Sequence, residues 1–480
     1  MRAELILSPT KFLEHAFKTE YPYLAKYETF WEEDGRAIST AVDNAGTPWL
    51  KQFDRFGNRI DQICFPPDYW RMLYEGYKVG AIWRGFEHTL RESFMVGYVT
   101  SYYDPGLYCP YTVSLSTAAV VAKYAAPDVR ARFLTPMLRR EGDIWQGATW
   151  MTELRGGSDL GATVETAARQ DGDRWLLTGD KYFSSNAGAE VAVVAARPEG
   201  APAGVRGLAL FVVPKFRADG ELNYLVRRLK DKIATRSVPT GEVELRDSEA
   251  YLLGEPGHGI YHIMEVLNLS RVSNSMGAAA LAHRALADAL TFAENRQIFG
   301  KALVDQPLMR KQFEDNVETL RQAFALAWES VCLAEEIWRE PAPRYSDRFH
   351  LFRLITHLAK YWTAEVAVHM AKWAMEVNGG MGTLAEFGVE RHLREAMILD
   401  IWEGPAHRQI LDGIEVMERK GAHKLLLEHL APHTNDIETM RVRIDGLLTQ
   451  PQDEKEANAG GLFHDLAAFA AKALKTKYVG

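Results

Sequence analysis

Met151-Thr152-Glu153-Leu154-Arg155-Gly156-Gly157-Ser158-Asp159-Leu160 is a glycine-centred loop with hydroxyl residues on both sides. Such a loop lets backbone N–H groups approach a polar ligand closely, and the same composition also serves as an ordinary connection. It stands at a change of texture. From Ile144 to about Tyr251 the chain breaks into short strand-like runs. Thr163 to Ala168 and Arg174 to Thr178 flank Asp171-Gly172, a strong hairpin signal. Glu190 to Ala196 and Leu208 to Val213 are apolar, and Gly241 to Leu245 alternates Val243 and Leu245 with Glu242 and Glu244. The spacing predicts a β-domain of roughly a hundred residues, a small barrel or sandwich.

Outward from it the period is helical. The N-terminal part reads as helices, with Tyr69 to Trp83 and Ser114 to Tyr124 separated by turns such as Phe65-Pro66-Pro67 and Asp104-Pro105-Gly106. After Gly259, Ile260, Ile263, Met264 and Leu267 share one helix face, as do Leu354, Leu358, Trp362 and Val366. Long helices with short loops predict a bundle. Pro451 to Gly461, polar and glycine-containing, reads as a linker before a last helix, Leu462 to Lys475. The expected fold is a segregated α+β architecture. It comprises an N-terminal helical domain (1–143), a middle β-domain (144–254), a C-terminal four-helix bundle (255–425) and a short helical extension (426–480).

The 480 residues are 47% hydrophobic and 25% charged, which excludes a disordered chain and a disulfide-knotted mini-protein. The net charge is −8, from 56 basic and 64 acidic residues, a balance not built to coat nucleic acid or anionic lipid. Cys64, Cys109 and Cys332 form no C-x-x-C pair, so neither a disulfide framework nor a zinc cluster is expected. No signal-peptide core and no apolar run of ~18 residues is found, which points to a cytoplasmic protein outside the membrane. Neither a dinucleotide-binding G-x-G-x-x-G after a strand nor a P-loop is present.

Three further segments carry chemistry. Arg296-Gln297-Ile298-Phe299-Gly300-Lys301 could contact a phosphate, or could be a helix end capped by Gly300. Glu376-Val377-Asn378-Gly379-Gly380-Met381-Gly382 allows close ligand approach, or again ends a helix. In Ile401-Trp402-Glu403-Gly404-Pro405-Ala406-His407-Arg408 a carboxylate stands between an apolar dipeptide and a flexible glycine. It is a candidate proton-transfer group, or an exposed acid near a helix start.

Taken together, in this order and spacing, these segments resemble the signatures of the acyl-CoA dehydrogenase superfamily. Gly179 to Asn186 and Lys232 to Thr240, leading to Leu253-Gly254-Glu255-Pro256-Gly257, add to the resemblance, which covers about Ile144 to Leu411. Phe53 to Arg59, Leu107-Tyr108-Cys109-Pro110, Arg228 to Lys232 and Gln306 to Arg310 resemble the AidB-type, alkylation-response branch.

The resemblance implies FAD, extended between the β-domain and the bundle and crossing a subunit interface. By position, Met151 and Thr152 would meet the isoalloxazine ring. Gly157 and Ser158 would lie beside flavin and thioester, and Phe183 and Ser185 would pack on the ring. Arg296, Phe299, Glu376, Gly379 and Gly380 would reach the adenosine-pyrophosphate of a neighbouring subunit's FAD, and His407 would lie near the adenine. Ser158, Arg271 and Gly404 would contact substrate. The implied reaction is α,β-dehydrogenation of an acyl-CoA, with Glu403 as base. Some branches place the base before an arginine of the first bundle helix, but here that position is Ser270, which cannot serve. An electron-transfer partner and a homo-oligomer, a dimer or a tetramer of two dimers, are also implied. The alternative is an AidB-like DNA-protecting flavoprotein with residual dehydrogenase activity. Against it, Glu415 to Gly480 balances nine basic against ten acidic residues, whereas duplex binding wants a basic stripe. His423, His429 and His433 do not read as a metal site, because Pro432 breaks the helix that a zinc pair needs.

Overall fold

A computed structural model describes residues 7–478. The segment Gly147–Trp150 to Thr240–Leu253 forms a seven-stranded sheet. The strand Val191–Pro198 pairs antiparallel with Ala209–Pro214, and parallel with both Gly147–Trp150 and the start of Ala167–Asp171. Ala167–Asp171 forms a hairpin with Arg174–Ser185, turning at Gly172 with φ +61°. Arg174–Ser185 pairs with Thr240–Leu253, whose far end returns to Ala209–Pro214. The strands therefore close on themselves into a small barrel.

The strand Val191–Pro198 is almost wholly apolar because both its faces are covered. Ala192, Val194 and Ala196 join Trp150, Phe211 and Val213 in the barrel interior. Val191, Val193 and Ala195 face the core shared with the helices. Side chains alternate along a strand, so one run serves two cores.

The bundle is built from Gly259–Asn295, Pro307–Ile337 and Asp347–Asn378. Its fourth position is filled by two shorter helices, Val389–Ile401 and Ala406–Lys420, interrupted at Trp402–Pro405. No helix among the described residues is long and apolar enough to cross a membrane.

Four local expectations differ from the structure. Thr163 does not open a strand: Leu160–Thr163 is a helical turn whose cap, Asp159, accepts the Ala162 N–H at 3.2 Å, and the strand starts at Ala167. Pro451 to Gly461 is not a linker. The helix Gln452–Tyr478 runs through it, because Glu, Lys and Ala favour helix and Lys455 and Ala459 are buried, Lys455 paired with Glu418. Gly300 is not a helix cap, since the helix ends at Asn295. Phe299 (φ +47°) and Gly300 (φ +82°) are instead the two central residues of a tight hairpin between Gln297–Ile298 and Lys301–Ala302. The helical N-terminal part also contains an unforeseen hairpin, Trp49–Phe53 with Arg59–Cys64. There Asp54 Oδ1 accepts the N–H groups of Phe56 (2.8 Å) and Asn58 (2.9 Å).

The terminal helix packs on the bundle. Phe463 is buried edge-on against Tyr361, and Glu329 of the second bundle helix receives hydrogen bonds from Lys477, Tyr478 and His429. Burial raises the Glu329 carboxyl, but these donors outweigh it and bring it down to about 2. A depressed folded-state value stabilises the native state above the ordinary carboxylate range and is lost as pH falls through that range towards 2. Hydrogen-exchange protection over 452–478, corrected for the intrinsic pH dependence of amide exchange, is expected to fall as pH drops across that interval in the wild type. Glu329→Gln should remove this pH dependence.

Candidate active site

Two adjacent segments of the barrel present one wall. Trp150 Nε1 donates to the Ser185 carbonyl (3.0 Å) and the Tyr182 N–H to the Thr152 carbonyl (3.0 Å). Beneath them Lys181, fully buried, donates to Glu153 Oε1 at 2.6 Å. Glu153 also accepts from the N–H groups of Glu165 (2.7 Å) and Thr166 (3.1 Å) and from Thr166 Oγ1 (2.6 Å). A buried ion pair holds only when its remaining lone pairs are filled, and here they are. The loop and the strand cannot separate without stranding a charge. Gly157 folds back on Thr152, where a Cβ would stand 2.4 Å from Thr152 Oγ1. Met151 is buried, Ser185 half-buried, and Gly157, Ser158 and Phe183 are exposed. Phe183 shows 55% of its surface, with the Lys230 ammonium 4.7 Å from its ring centre.

The opposite wall is the break in the fourth bundle helix. Glu403 has a left-handed backbone (φ +60°) and Gly404 follows at φ +97°. Such a conformation at a non-glycine residue persists only where its surroundings enforce it. Four buried side chains do so. Asn274 of the first bundle helix donates to the Leu399 carbonyl (2.8 Å) and accepts from Trp402 Nε1 (3.1 Å). Lys360 of the third donates to the Asp400 carbonyl (2.6 Å). Arg271 Nε donates to the Glu403 carbonyl (3.1 Å). Gln409 Nε2 donates to the carbonyls of Glu403 (3.0 Å) and Gly404 (2.8 Å). Gln409 is itself fixed by buried His357, 2.9 Å from its Oε1. Burial lowers His357 to about 3, so its ring is neutral and donates through Nδ1–H.

The Glu403 side chain has no such partner. Its Oε2 is closed off from solvent and unbonded. Burial raises its carboxyl to about 7, opposed by the charges of Arg271 and Lys360. Trp402 packs with Cys109, Val113 and Val238 in a small apolar cluster beside it. Burial pushes the Cys109 thiol up to about 12, and that thiol interacts with Lys232, Glu403 and Ser185. Both walls thus converge there, and Arg408 feels the charge of Asp159 from the glycine loop.

The structure therefore brings Met151, Thr152, Gly157, Ser158, Phe183, Ser185, Arg271, Glu403 and Gly404 to one region, with exposed His407 at its edge. It does not bring Arg296, Phe299, Glu376, Gly379 and Gly380 there. Arg296 caps the helix that carries Arg271, about 37 Å further along it at 1.5 Å per residue. Phe299 is 94% exposed, Glu376 pairs with Lys372, and Gly379 caps the third bundle helix at φ +60°. Sequence reasoning missed the roles of Asn274, Lys360, His357 and Gln409. Their one signal is polarity: Asn274 lies within a long run of small and apolar residues, and Lys360 follows Leu358 and Ala359.

Comparison with known proteins fits this geometry. Residues 24–144 match the domain described as "Adaptive response protein AidB N-terminal domain". Residues 148–248 match "Acyl-CoA dehydrogenase, middle domain", and 257–417 match "Acyl-CoA dehydrogenase, C-terminal domain". The putative acyl-CoA dehydrogenase AidB of Escherichia coli is 29% identical over 436 residues, 83% of this chain and 76% of that protein. Acyl-CoA dehydrogenase family member 11 of Caenorhabditis elegans is 28% identical over 80% of this chain, which spans 66% of that protein's length. Among solved structures, Bd2924 in its apo-form superposes with a TM-score of 0.88 at 28% identity, over 99% of this chain and 96% of that one. The structure of C. elegans ACDH-11 in complex with C11-CoA shares the fold, with a TM-score of 0.85 at 23% identity over 100% and 86% of the two chains. The chain belongs to the acyl-CoA dehydrogenase family, whose members are FAD-dependent oxidoreductases, in the branch with an AidB-type N-terminal domain.

Proposed function

We propose that this enzyme removes the α and β hydrogens of an acyl-CoA thioester, with Glu403 as the base. The observation that carries the reading is Glu403 itself: a carboxylate on an enforced left-handed backbone, its Oε2 unbonded and its carboxyl raised to about 7. A base poised near working pH and fixed in one place is what α-proton abstraction needs. The β-domain wall fits FAD. Gly157 and Ser158 are accessible, and Phe183 offers an aromatic ring with more than half of its surface exposed. Met151, Thr152, Ser158, Phe183 and Ser185 would hold the ring opposite Glu403, and His407 would lie near the adenine. FAD, when bound, supplies the acceptor for the β-hydrogen, which leaves as hydride. Glu403 takes the α-proton on its carboxylate. Ser158, Arg271 and Gly404 are assigned to substrate, with Arg271 acting also on the Glu403 carbonyl.

The distance from Arg271 to Arg296 supports a homo-oligomer. One chain does not offer both ends of its bundle to the same extended cofactor. Arg296, Phe299, Glu376, Gly379 and Gly380 would serve FAD held by a second copy. An exposed phenylalanine held left-handed in a tight turn fits a residue that inserts into a partner.

The AidB-like N-terminal domain raises DNA binding as a second reading. Charge placement speaks against it. Arg419, Arg441, Arg443, Lys455, Lys475 and Lys477 of the tail are each paired with an acid of the same chain. Paired cations release few counterions from a duplex.

Four outcomes are expected. In anaerobic stopped-flow with acyl-CoA, flavin reduction should rise with pH through about 7, and Glu403→Gln should slow it roughly 10²–10⁴-fold with FAD retained. A raised folded-state pKa favours the native state below the ordinary carboxylate range and costs stability as pH rises through 7. Glu403→Gln should therefore also melt higher than the wild type at pH 8. Arg296→Ala should lose FAD on dilution, as read by absorbance after gel filtration; full retention in a monomer by light scattering would exclude the shared site. Random duplex should bind no tighter than the ~10⁻⁴–10⁻⁶ M of non-specific contacts at about 150 mM salt.

A further inference from the structure

Away from the reacting atoms, a buried charge cluster joins the N-terminal helices to the helix Val389–Ile401. Asp104 caps the helix Pro105–Tyr124, accepting the Leu107 N–H at 2.9 Å, and also takes hydrogen bonds from Ser39 (2.7 Å) and Ser237 (2.9 Å). Arg391 reaches Asp104 (3.3 Å), Asp43 (3.8 Å) and Glu395 (3.4 Å). Glu395 is 1% exposed. Both its carboxylate oxygens accept one backbone N–H, that of Thr235, at 3.1 Å. Thr235 has φ +51°, in the loop that runs from Lys232 to Thr240.

The position of that bond matters. Three residues after Thr235 comes Val238, which packs with Cys109, Val113 and Trp402. Glu395 lies on the helix that ends at Ile401, directly before Trp402 and Glu403. Cys109 and Val113 lie on the helix that Asp104 caps. All three walls of the apolar cluster therefore hang from one charge network. Lys232 stiffens the loop further, donating to the carbonyls of Thr235 (2.8 Å) and Val238 (2.9 Å).

We infer that Glu395 is a positioning residue that sets substrate specificity: by holding the Thr235 N–H it fixes how Val238 packs on Trp402, the apolar surface next to Glu403 that an acyl chain reaching this carboxylate would meet. The inference rests on the dehydrogenase reading for the identity of the chain, while the tether itself belongs to this protein's own residues. Rigid walls exclude chains that do not fit, because overpacking displaces backbone. A released loop loses that selectivity. Glu395→Gln keeps an oxygen for the Thr235 N–H; Glu395→Ala does not. Arg391 keeps Asp104 and Asp43 in either variant.

The test uses the FAD-loaded enzyme with straight-chain acyl-CoA esters of increasing length, and hydrogen exchange over 232–240. In Glu395→Ala, exchange of the Thr235 amide should rise about tenfold, as for loss of one buried hydrogen bond. The spread of kcat/KM across chain lengths should flatten by a similar factor. Glu395→Gln should restore both. A uniform fall in kcat at every length, or equal behaviour of the two variants, would mark Glu395 as merely structural and overturn the inference. Unchanged exchange at Thr235 would overturn it without reference to substrate. If no acyl-CoA reduces the wild-type flavin, the dehydrogenase reading fails, and the specificity assignment falls with it whatever the exchange shows.

Discussion

The backbone at Glu403 is the constraint on which the site depends. A left-handed non-glycine residue followed by a second positive-φ residue is unfavourable in isolation. It is stable here because the carbonyls of Leu399, Asp400, Glu403 and Gly404 are each claimed by a buried donor. These donors come from the first and third bundle helices and from the helix after the break. Their registers must all be right at once. The reward is chemical. With its backbone fixed by others, the Glu403 side chain is left without a hydrogen-bond partner, and burial raises it to about 7. A carboxylate with a partner of its own would be a weaker base.

The β-domain uses the same device with opposite emphasis. Glu153 and Lys181 spend their charges on each other and on neighbouring N–H groups, so the pair is inert and the surrounding loop is rigid. That wall exposes the uncharged Ser158 and Phe183, beside the charged Arg155 and Asp159 of the same loop. One wall thus buries a charge whose hydrogen bonds are filled and so holds a surface still, and the other buries a carboxyl whose Oε2 has no hydrogen-bond partner. The difference is the number of hydrogen bonds each carboxylate receives.

Helices outside the bundle serve these walls indirectly. The N-terminal helix Pro105–Tyr124 supplies Cys109 and Val113 next to Trp402. The terminal helix Gln452–Tyr478 uses its cations on Glu318, Glu329 and Glu418 of the bundle, which leaves few of them for an outside polyanion.

Much of the fold was legible because apolar periodicity is local. The alternation of Val243 and Leu245 with two glutamates, the helical stripe from Ile260 and the Asp171-Gly172 turn each report a structure made by a few consecutive residues. Glu403, Ser158 and Phe183 were legible through family signatures, and the structure gathers them. Local signals also misled where a neighbour decided the outcome. Pro451 to Gly461 is polar like a linker, yet helical because Lys455 and Ala459 find a surface to bury against. Gly300 is glycine like a cap, yet sits in a hairpin because the helix had already ended. Tertiary structure alone decided what makes the site work: which donors reach the Glu403 carbonyls, that its Oε2 has none, and that Arg296 lies a helix length from Arg271. The reason is that hydrogen bonding and burial join residues more than a hundred positions apart, as Arg271 to Glu403, and no short stretch of sequence contains both ends of such a contact.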